Sequence, residues 1–404
     1  MRCGLLGRHL SHSYSPLIHS MLGDYSYDLF EKEPESLTDF LKNENWDGIN
    51  VTVPYKKAVL PFLDELSPIA ESLGAVNTII RRGSKLIGHN TDYFGFNSMI
   101  KAGGLELAGK KALILGSGGA SATAAAVLRE RGAQVIVISR TGENNYGNLH
   151  LHEDAALLVN ATPVGMFPDN GNTPLDLDAL PHLEGVLDLI YNPTRTKLLL
   201  DAKKRGLIAI NGLLMLVAQA KEAAEWFTGS KIDDSRTEQI YNQLCRQMQN
   251  IVLIGMPGCG KSTIGRLLAE ATGKRFADAD TRIEELAGMP IPEIFEKHGE
   301  DTFRDFETKA LAELGKQSGL IIATGGGCVT RERNDPLLRQ NGTTICLERD
   351  ISRLPTEGRP LSCSGKLEQM YRQRTPLYEA FADLHVGNNG TVAETVTKIL
   401  EVLK

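Results

Sequence analysis

The chain has 404 residues, of which 42% are hydrophobic and 23% are charged, and its formal net charge is −6 at pH 7. This length exceeds one hydrophobic core, so two or three domains are expected, and the acidic balance gives no argument for nucleic acid or an anionic membrane surface. No run approaches about 18 apolar residues, no signal peptide is evident, and the six cysteines form no CxxC pair, which together indicate a cytoplasmic protein without a membrane span.

Residues 1–100 alternate short apolar strands with helical stretches. The strands are RCGLLG, YSYDLF and GINVTV, and the helices lie near residues 16–22 and 35–44. Alternation of this kind predicts a mostly parallel α/β sheet.

A βαβ unit begins near residue 107. The apolar strand 111–116 leads through Gly116, Gly118 and Gly119 into an alanine-rich helix and the strand 134–139. This turn is one residue off the third glycine of the dinucleotide-binding pattern, so alone it is a weak signal. Further strands are expected at 157–161, 186–191 and 207–211, followed by a helix over 213–227.

The stretch 251–273 has the pattern of a buried strand, a glycine-rich loop and a helix. The loop carries Gly258 and Gly260 and leads directly into Lys261 and Ser262. Such a loop turns its backbone N–H groups toward a polyphosphate, while the lysine reaches the β- and γ-phosphates and the serine hydroxyl ligates Mg²⁺. The sequence therefore predicts a nucleoside triphosphate site rather than an ordinary turn.

Polar residues follow the next two predicted strands. We expect Asp278 and Asp280 at the tip of a second strand, where a spacing of two puts both carboxylates on one side of the sheet. One would serve Mg²⁺ and the other a substrate hydroxyl, although the pair also fits a polar strand end before a helix N-cap. Arg304 and Glu307 share a helix face, and a third strand within 321–327 opens into three glycines.

Residues 251–404 resemble shikimate kinase, because GMPGCGKST, FADADTRIEELAG, GEDTFRDFE, ATGGG, GRPL and RTPLYEAFA occur in that family's order. The resemblance implies phosphorylation of shikimate by Mg·ATP, with Arg359 in a lid that is shorter here than in typical members. Taken singly, arginines of this kind are usually solvated surface. The implied roles are catalytic for Lys261, Asp280 and Arg359; substrate-binding for Arg304, Gly325, Gly326, Gly327 and Arg374; nucleotide-binding for Gly258, Gly260, Thr263 and Arg353; and metal-binding for Ser262 and Asp278.

Residues 1–248 resemble shikimate dehydrogenase. The matching pieces are HSYSP, NVTVPYK, GAVNT, GHNTD, GSGGAS, SRT, NATPVGM, YNPTRT and GLLMLVAQA, in that family's order. The resemblance implies reduction of 3-dehydroshikimate with NADP(H). It implies substrate contacts from Ser13, Ser15, Thr52, Asn77, Tyr191 and Gln219, and cofactor contacts from Gly116, Gly118, Gly119, Ala120, Ser139, Arg140, Thr141 and Met166.

Lys56 and Asp92 form the dyad that this resemblance implies. Hydride reduction of a ketone leaves an alkoxide that needs a proton, and a lysine beside a carboxylate can supply it. On residue type alone, Lys56 would be a surface lysine and Asp92 a helix N-cap.

The segment after the second Rossmann strand is distinctive. Arg140 stands where NAD-preferring sites usually carry an acid, which favours the 2′-phosphate of NADP. Ser139 replaces the family's asparagine, and the connection from Arg140 to Asn160 is shorter than the family's usual helix and strand. The part of the protein that surrounds the adenosine side of the cofactor is therefore expected to be smaller than in the family.

The sequence thus predicts an α/β protein: a substrate subdomain (1–100 and 213–248), a Rossmann NADP-binding subdomain (101–212) and a P-loop nucleoside-monophosphate-kinase-like domain (249–404). The function it predicts is a bifunctional shikimate-pathway enzyme that uses NADP(H), ATP and Mg²⁺ on small-molecule substrates. One alternative is a shikimate kinase with an inactive dehydrogenase-like module, suggested by the shortening after Arg140. The other is a nucleotide-switched scaffold that binds at both phosphate loops without turnover.

Overall fold

The computed structural model of the protein describes residues 1–10, 13–354 and 366–403. The chain divides into two compact units. The first comprises Met1–Val164, Thr173–Tyr191 and Asp201–Leu244, and the second comprises Gly165–Asn172, Asn192–Leu200 and Cys245–Lys404. Within the described ranges, none of the helices combines the length and apolar character that a membrane crossing needs.

Strands and helices alternate along most of the chain. The strands are β1 (Arg2–Gly7), β2 (Ser26–Glu31), β3 (Gly48–Val51), β4 (Glu65–Leu66), β5 (Thr78–Arg82), β6 (Lys85–His89), β7 (Lys111–Leu115), β8 (Gln134–Ile138), β9 (Leu157–Asn160), β10 (Gly185–Asp188), β11 (Ile208–Asn211), β12 (Asn250–Ile254), β13 (Arg275–Asp278), β14 (Leu320–Ala323), β15 (Gly342–Glu348) and β16 (Leu384–Gly387).

The helices fill the connections between these strands. They are α1 (Ser15–Ser20), α2 (Leu37–Asn43), α3 (Pro68–Leu73), α4 (Asp92–Gly103), α5 (Gly119–Glu130), α6 (Lys197–Lys204), α7 (Leu213–Thr228), α8 (Ser235–Met248), α9 (Lys261–Thr272), α10 (Ala279–Ala287), α11 (Ile291–Lys316), α12 (Asp335–Arg339), α13 (Lys366–Phe381) and α14 (Val392–Val402).

The first sheet has the strand order β2-β1-β3-β5-β6-β4. β1 runs parallel to β2 and β3, and β4 runs parallel to β6, as the alternating pattern predicts. β5 is antiparallel to both of its neighbours, because a short turn joins it to β6 as a hairpin. The sheet therefore mixes parallel pairs with one reversed strand.

The second sheet is parallel throughout, with the order β11-β10-β9-β7-β8. A six-stranded doubly wound sheet has the strand order 3-2-1-4-5-6. If β7 is counted as strand 1, β8 as strand 2 and β9, β10 and β11 as strands 4, 5 and 6, the order in this sheet is 2-1-4-5-6. The connection from β8 to β9 contains a 3₁₀ helix over Tyr146–His152 and no strand or α-helix. The shortening seen in the sequence thus removes the third strand and leaves β8 at the edge.

The third sheet is also parallel throughout, with the order β13-β14-β12-β15-β16. β12 and β14, at its centre, are buried along their whole length, as expected for strands covered on both faces. The second unit also includes the segment around Thr194 and Arg195, whose backbone N–H groups donate to Asn341 Oδ1 (2.8 Å) and to the Gln340 carbonyl (2.9 Å).

Helices α4 and α7 approach each other closely at Gly95. A Cβ atom on this residue would lie 2.6 Å from the carbonyl oxygen of Met215 and 3.1 Å from Cβ of Gln219. The absence of a side chain therefore sets the distance between the helix that begins at Asp92 and the helix that carries Gln219.

Gly95→Ala is expected to force α4 and α7 apart and to lower the free energy of unfolding by about 1–3 kcal/mol, the usual cost of overpacking. Chemical denaturation of the full chain measures this change. Lys101→Ala, on the exposed side of the same helix, is the matched control and should change stability by less than about 0.5 kcal/mol. Equal stability of the two variants would contradict the close approach.

His19 lies in the core of the first unit. Its ring stacks on Tyr27 with centroids 3.9 Å apart, Nδ1 shares a 2.7 Å hydrogen bond with the Tyr25 hydroxyl, and Nε2 has no partner among the described residues. Burial lowers the pKa of His19 to about 3. The folded protein therefore holds this imidazole neutral.

The folded-state pKa of His19 is below the unfolded value of about 6.5. The contribution of the neutral imidazole to the free energy of unfolding is therefore full above pH 6.5 and is lost as the pH falls toward 3. Between pH 7.5 and 5.5 this amounts to about 1.4 kcal/mol. His19→Phe should therefore lose less stability than the wild type over that interval in urea titrations. His182→Phe, at an exposed position, should show the wild-type pH dependence.

Candidate functional sites

Lys56, Asn77 and Asp92 meet in the first unit. Lys56 Nζ donates to Asp92 Oδ2 at 2.5 Å, and Asn77 Nδ2 donates to Asp92 Oδ1 at 2.9 Å. Asp92 is the first residue of α4, where the positive end of the helix dipole stabilises a carboxylate. The side chains of Lys56 and Asp92 are 22% and 11% exposed, so the ion pair is shielded but reachable.

Thr91 connects this group to α7, and the sequence patterns did not single it out. It is the N-cap residue of α4, its N–H donates to Asn77 Oδ1 (2.6 Å), and its hydroxyl donates to Gln219 Oε1 (3.3 Å). Asp92 is therefore not the N-cap that residue type alone suggested. Thr91 stands inside the motif GHNTD, where a Thr-Asp pair before a helix was the available signal.

Ser13, Ser15 and Tyr191 belong to a polar and aromatic group at the start of α1. Ser13 Oγ accepts the N–H of Ser15 at 3.2 Å, and Ser15 is buried. The ring of Tyr14 meets the ring of Tyr191 edge to face at 6.1 Å. Burial raises the pKa of both tyrosines, so both hydroxyls stay protonated near neutral pH.

Thr52 follows β3 directly and is half-buried, and its N–H donates to the carbonyl oxygen of Leu6 at 2.9 Å. This hydrogen bond continues the pairing of β3 with β1 by one residue. Thr52 therefore lies at the carboxyl end of the central strands of the first sheet.

The glycine turn after β7 is shaped for close approach of a ligand. Gly116 has φ +103°, which an L-residue side chain disfavours, and a Cβ atom there would lie 3.1 Å from the Ala161 carbonyl oxygen. Gly118 and Gly119, at the start of α5, have no neighbour within 4 Å of a Cβ position, and Ala120 continues the helix. The turn leaves open space at the N-terminus of a 12-residue helix, which suits a pyrophosphate.

The loop after β8 is compact. Its first residue, Ser139, donates its N–H to the Asn144 carbonyl at 3.1 Å, which closes the segment that presents Arg140 and Thr141 to solvent. Tyr146 follows in the 3₁₀ helix. Met166 is 46% exposed and belongs to the second unit, so its predicted cofactor contact stays a prediction.

The loop between β12 and α9 has the geometry of a phosphate-binding loop. Gly255, Gly258 and Gly260 all have positive φ, and Gly260 is the N-cap of α9. Lys261 is buried, and its Nζ donates to the carbonyls of Gly255 (2.9 Å) and Met256 (3.1 Å). The lysine is thereby held across the loop, while Thr263 lies exposed in the first turn of α9.

Asp278 and Asp280 do not share a strand tip, which corrects the prediction made from their spacing. Asp278 ends β13 and is the N-cap of α10, whereas Asp280 lies in the first turn of that helix. The helix begins there because Asp278 Oδ1 accepts the N–H of Asp280 (3.1 Å). Asp278 Oδ2 accepts the Ser262 hydroxyl at 2.7 Å, so both predicted metal-binding residues are in contact.

Arg304 and Glu307 form a buried ion pair on α11. Arg304 Nη1 donates to Glu307 Oε2 at 2.8 Å, and Nη2 donates to Glu300 at 3.0 Å. Burial opposes the charge on Arg304, but the two glutamates hold its pKa above the ordinary value. Burial raises the pKa of Glu307, and Arg304 opposes that rise. Glu307 was noted in the sequence only as sharing a face with Arg304.

The three glycines after β14 lie against this ion pair. A Cβ atom on Gly325 would lie 2.7 Å from Glu307 Oε1 and 3.1 Å from Asp280 Oδ1, and one on Gly327 would overlap the Arg304 guanidinium group. The carbonyl of Gly326 accepts from Arg374 Nη1 at 3.1 Å. The structure thus brings Asp280, Arg304, Arg374 and the glycines into one cluster.

Of the other predicted arginines, Arg353 donates to the Asn389 carbonyl, and Arg359 lies outside the described residues. Arg349, which the sequence patterns did not single out, directly follows β15. Its Nη1 lies 4.0 Å from the position of a Cβ atom on Gly260, beside the phosphate-binding loop.

Two family models match the chain: the shikimate dehydrogenase substrate binding domain over residues 5–79 and shikimate kinase over residues 257–404. Shikimate dehydrogenase (NADP(+)) from Clostridium perfringens strain SM101 is 36% identical over 267 positions, covering 60% of this chain and 98% of that protein. Sixty per cent of 404 residues is fewer than 267, so the alignment includes positions that this chain lacks.

Solved structures match the same part of the chain. Shikimate 5-dehydrogenase from Thermus thermophilus, in complex with NADP(H) and shikimate, matches with a TM-score of 0.56 and 36% identity, covering 60% of this chain and 99% of that chain. A chorismate mutase/shikimate 5-dehydrogenase fusion protein from Clostridium acetobutylicum matches with a TM-score of 0.58 and 34% identity, covering 60% and 96%. The chain therefore belongs to the shikimate dehydrogenase family and continues into a shikimate kinase domain.

Proposed function

We propose that the chain catalyses two reactions: reduction of 3-dehydroshikimate to shikimate with NADPH, and phosphorylation of shikimate with ATP. The observation that supports this best is that each unit holds its own reactive cluster. The Lys56–Asp92 ion pair lies in the first, and Lys261, Asp280 and Arg304 lie in the second. A reducing cytoplasm is the proposed compartment, since the five cysteines among the described residues are free.

In the reductase reaction, Lys56 would donate a proton to the oxygen of the reduced carbonyl. Asp92 holds the lysine in place, and Asn77 fixes the other carboxylate oxygen, so the amino group of Lys56 has one defined direction. Ser13 and Ser15 would donate to the substrate carboxylate. Thr52, Asn77, Tyr191 and Gln219 would surround the ring hydroxyls.

The glycine turn fits a dinucleotide, because Gly118 and Gly119 leave space that a Cβ atom would fill. Gly116, Gly118, Gly119 and Ala120 would hold the pyrophosphate, and Ser139, Arg140 and Thr141 would hold the 2′-phosphate. NADPH, when bound, supplies the hydride. The closed loop after β8 keeps Arg140 exposed to meet an anion.

In the kinase reaction, Lys261 would exchange its two carbonyl acceptors for phosphate oxygens, with Gly258, Gly260 and Thr263 around the phosphate chain. Ser262 and Asp278 offer hydroxyl and carboxylate oxygens, the donor types that Mg²⁺ prefers. The described residues contain no cluster of three acidic, histidine or cysteine ligands, which agrees with an ion held mainly by water and phosphate.

The substrate of the kinase reaction would lie against the glycines after β14. Asp280 would hold the attacking hydroxyl, and Arg304 and Arg374 would bind the carboxylate, a planar anion that suits guanidinium groups. Arg353 would lie near the adenine. Arg359 keeps its predicted role at the transferred phosphoryl group.

One observation favours a second candidate, in which the first unit binds substrate but no longer catalyses. The Rossmann sheet lacks its third strand, so the adenosine side of a bound cofactor has less protein around it. NADPH oxidation by the full chain, with 3-dehydroshikimate present and ATP absent, separates the two candidates. Substrate-dependent oxidation supports the bifunctional enzyme, and its absence beside intact shikimate phosphorylation supports the second candidate.

Lys56→Ala should lower kcat of the reduction by about 10²- to 10⁴-fold, because it removes the proton donor, and should leave shikimate phosphorylation unchanged. Lys261→Ala should do the reverse, with at least about a 100-fold loss of kinase kcat. Steady-state assays of both reactions on each variant measure this. Loss of both activities from either change would show that the two sites are not independent.

Gly118→Ala should weaken NADPH binding by at least about 10-fold, since the added methyl group enters the proposed pyrophosphate space, while the melting temperature stays near the wild-type value. Gly116→Ala, at a positive φ, should instead lower the melting temperature. Fluorescence titration and thermal unfolding measure the two effects. Unchanged NADPH affinity in Gly118→Ala would place the cofactor elsewhere.

A further inference from the structure

Arg349 stands at the edge of the third sheet where the phosphate-binding loop lies. It directly follows β15, which pairs in parallel with β12, and β12 leads into that loop. The carboxyl ends of parallel neighbours meet at the same sheet edge, which is where α/β proteins bind ligands. Arg349 Nη1 lies 4.0 Å from a Cβ position on Gly260, the N-cap of α9.

A second nitrogen donor lies near the same position on Gly260. Asn388 Nδ2 lies 3.3 Å from the same Cβ position, and that amide is fixed by the Cys259 carbonyl (2.5 Å) and the Thr395 hydroxyl (2.8 Å). The N-terminus of α9 adds a positive partial charge beside a guanidinium, which is unfavourable unless an anion binds there.

No described residue compensates this charge. Arg349 Nε is buried without an acceptor, and no ion pair joins Arg349 to the described acids. The neighbouring Glu348 pairs instead with His385 at 2.9 Å. By contrast, Arg339 pairs with Asp335 and Asp383, and Arg331 pairs with Asp301 and Asp305. Arg339 and Arg331 thus have carboxylate partners among the described residues, and Arg349 does not.

We infer that Arg349 binds the phosphate chain of the nucleotide. This rests on the proposed kinase function and adds a residue to the site formed by Lys261 and Gly260. A guanidinium group offers two parallel donors to phosphate oxygens, a geometry that a lysine cannot supply. Arg349 would therefore raise affinity for ATP and ADP without touching shikimate.

The test is calorimetric titration of the full chain with Mg·ADP, in an excess of NADP⁺ to keep ADP from the dinucleotide site. Arg349→Gln should weaken ADP binding by about 10- to 100-fold, the usual loss for a charge-assisted hydrogen bond. The ADP affinity of Arg349→Lys should lie between those of the wild type and Arg349→Gln. Arg333→Gln, which removes an exposed arginine paired with Asp305, is the matched control and should bind like the wild type.

Two further readouts separate phosphate binding from a structural role. Inorganic tripolyphosphate, as an inhibitor competing with ATP, should lose affinity in Arg349→Gln by the same factor as ADP. The KM for ATP should rise while the KM for shikimate and the reductase activity stay unchanged. Weakened ADP with unchanged tripolyphosphate would assign Arg349 to the nucleoside and overturn the inference.

Equal ADP affinity in the wild type and Arg349→Gln would also overturn it, and would leave the proposed kinase function standing. Failure of the wild type itself to bind Mg·ADP would remove the proposed kinase function, and this inference with it.

Discussion

The fold brings its chemistry together because parallel strands end at glycine turns. Each β-strand to α-helix turn places backbone N–H groups and the next side chains at one sheet edge, and the positive helix N-terminus stabilises negative charge there. β7 with α5 and β12 with α9 follow this arrangement. Two separate sheets thus acquire sites that suit phosphate groups.

Charges in both units are oriented by neutral or oppositely charged neighbours. Asn77 and Thr91 hold Asp92, and Asp92 in turn holds Lys56. In the second unit, the Glu307 carboxylate holds Arg304 in a buried position. Such supports limit the rotation of long side chains, so that little conformational entropy remains to be lost when substrate binds.

The sequence predicted the elements whose signal is local. The phosphate-binding loop, the glycine turn after β7 and the apolar strands of the two parallel sheets follow from runs of adjacent residues. The Lys56–Asp92 pair was predicted only through the family resemblance, because its residues are 36 positions apart. Residues this far apart in sequence share no helix or strand periodicity, so the residue pattern alone does not predict that they are in contact.

Other features depended on tertiary context. The spacing of Asp278 and Asp280 predicts that the strand continues to Asp280, so that both side chains lie on one face. In the structure the Asp278 carboxylate instead caps a helix, and Asp280 follows the helical repeat. β5 runs antiparallel because of its hairpin with β6, and the alternation of elements carries no sign of that reversal. Arg349 resembles any surface arginine until its position beside Gly260 is known.

The junction between α8 and β12 has a consequence for the amounts of the two activities. α8 ends at Met248 and β12 begins at Asn250, so a single residue lies outside regular structure. Proteases cleave exposed, irregular segments most readily, and this junction offers almost none. Cleavage at this junction is therefore disfavoured, and because one chain carries both units they are made in equal number, so that the ratio of the two reaction rates in a cell is set by their kinetic constants rather than by gene dosage.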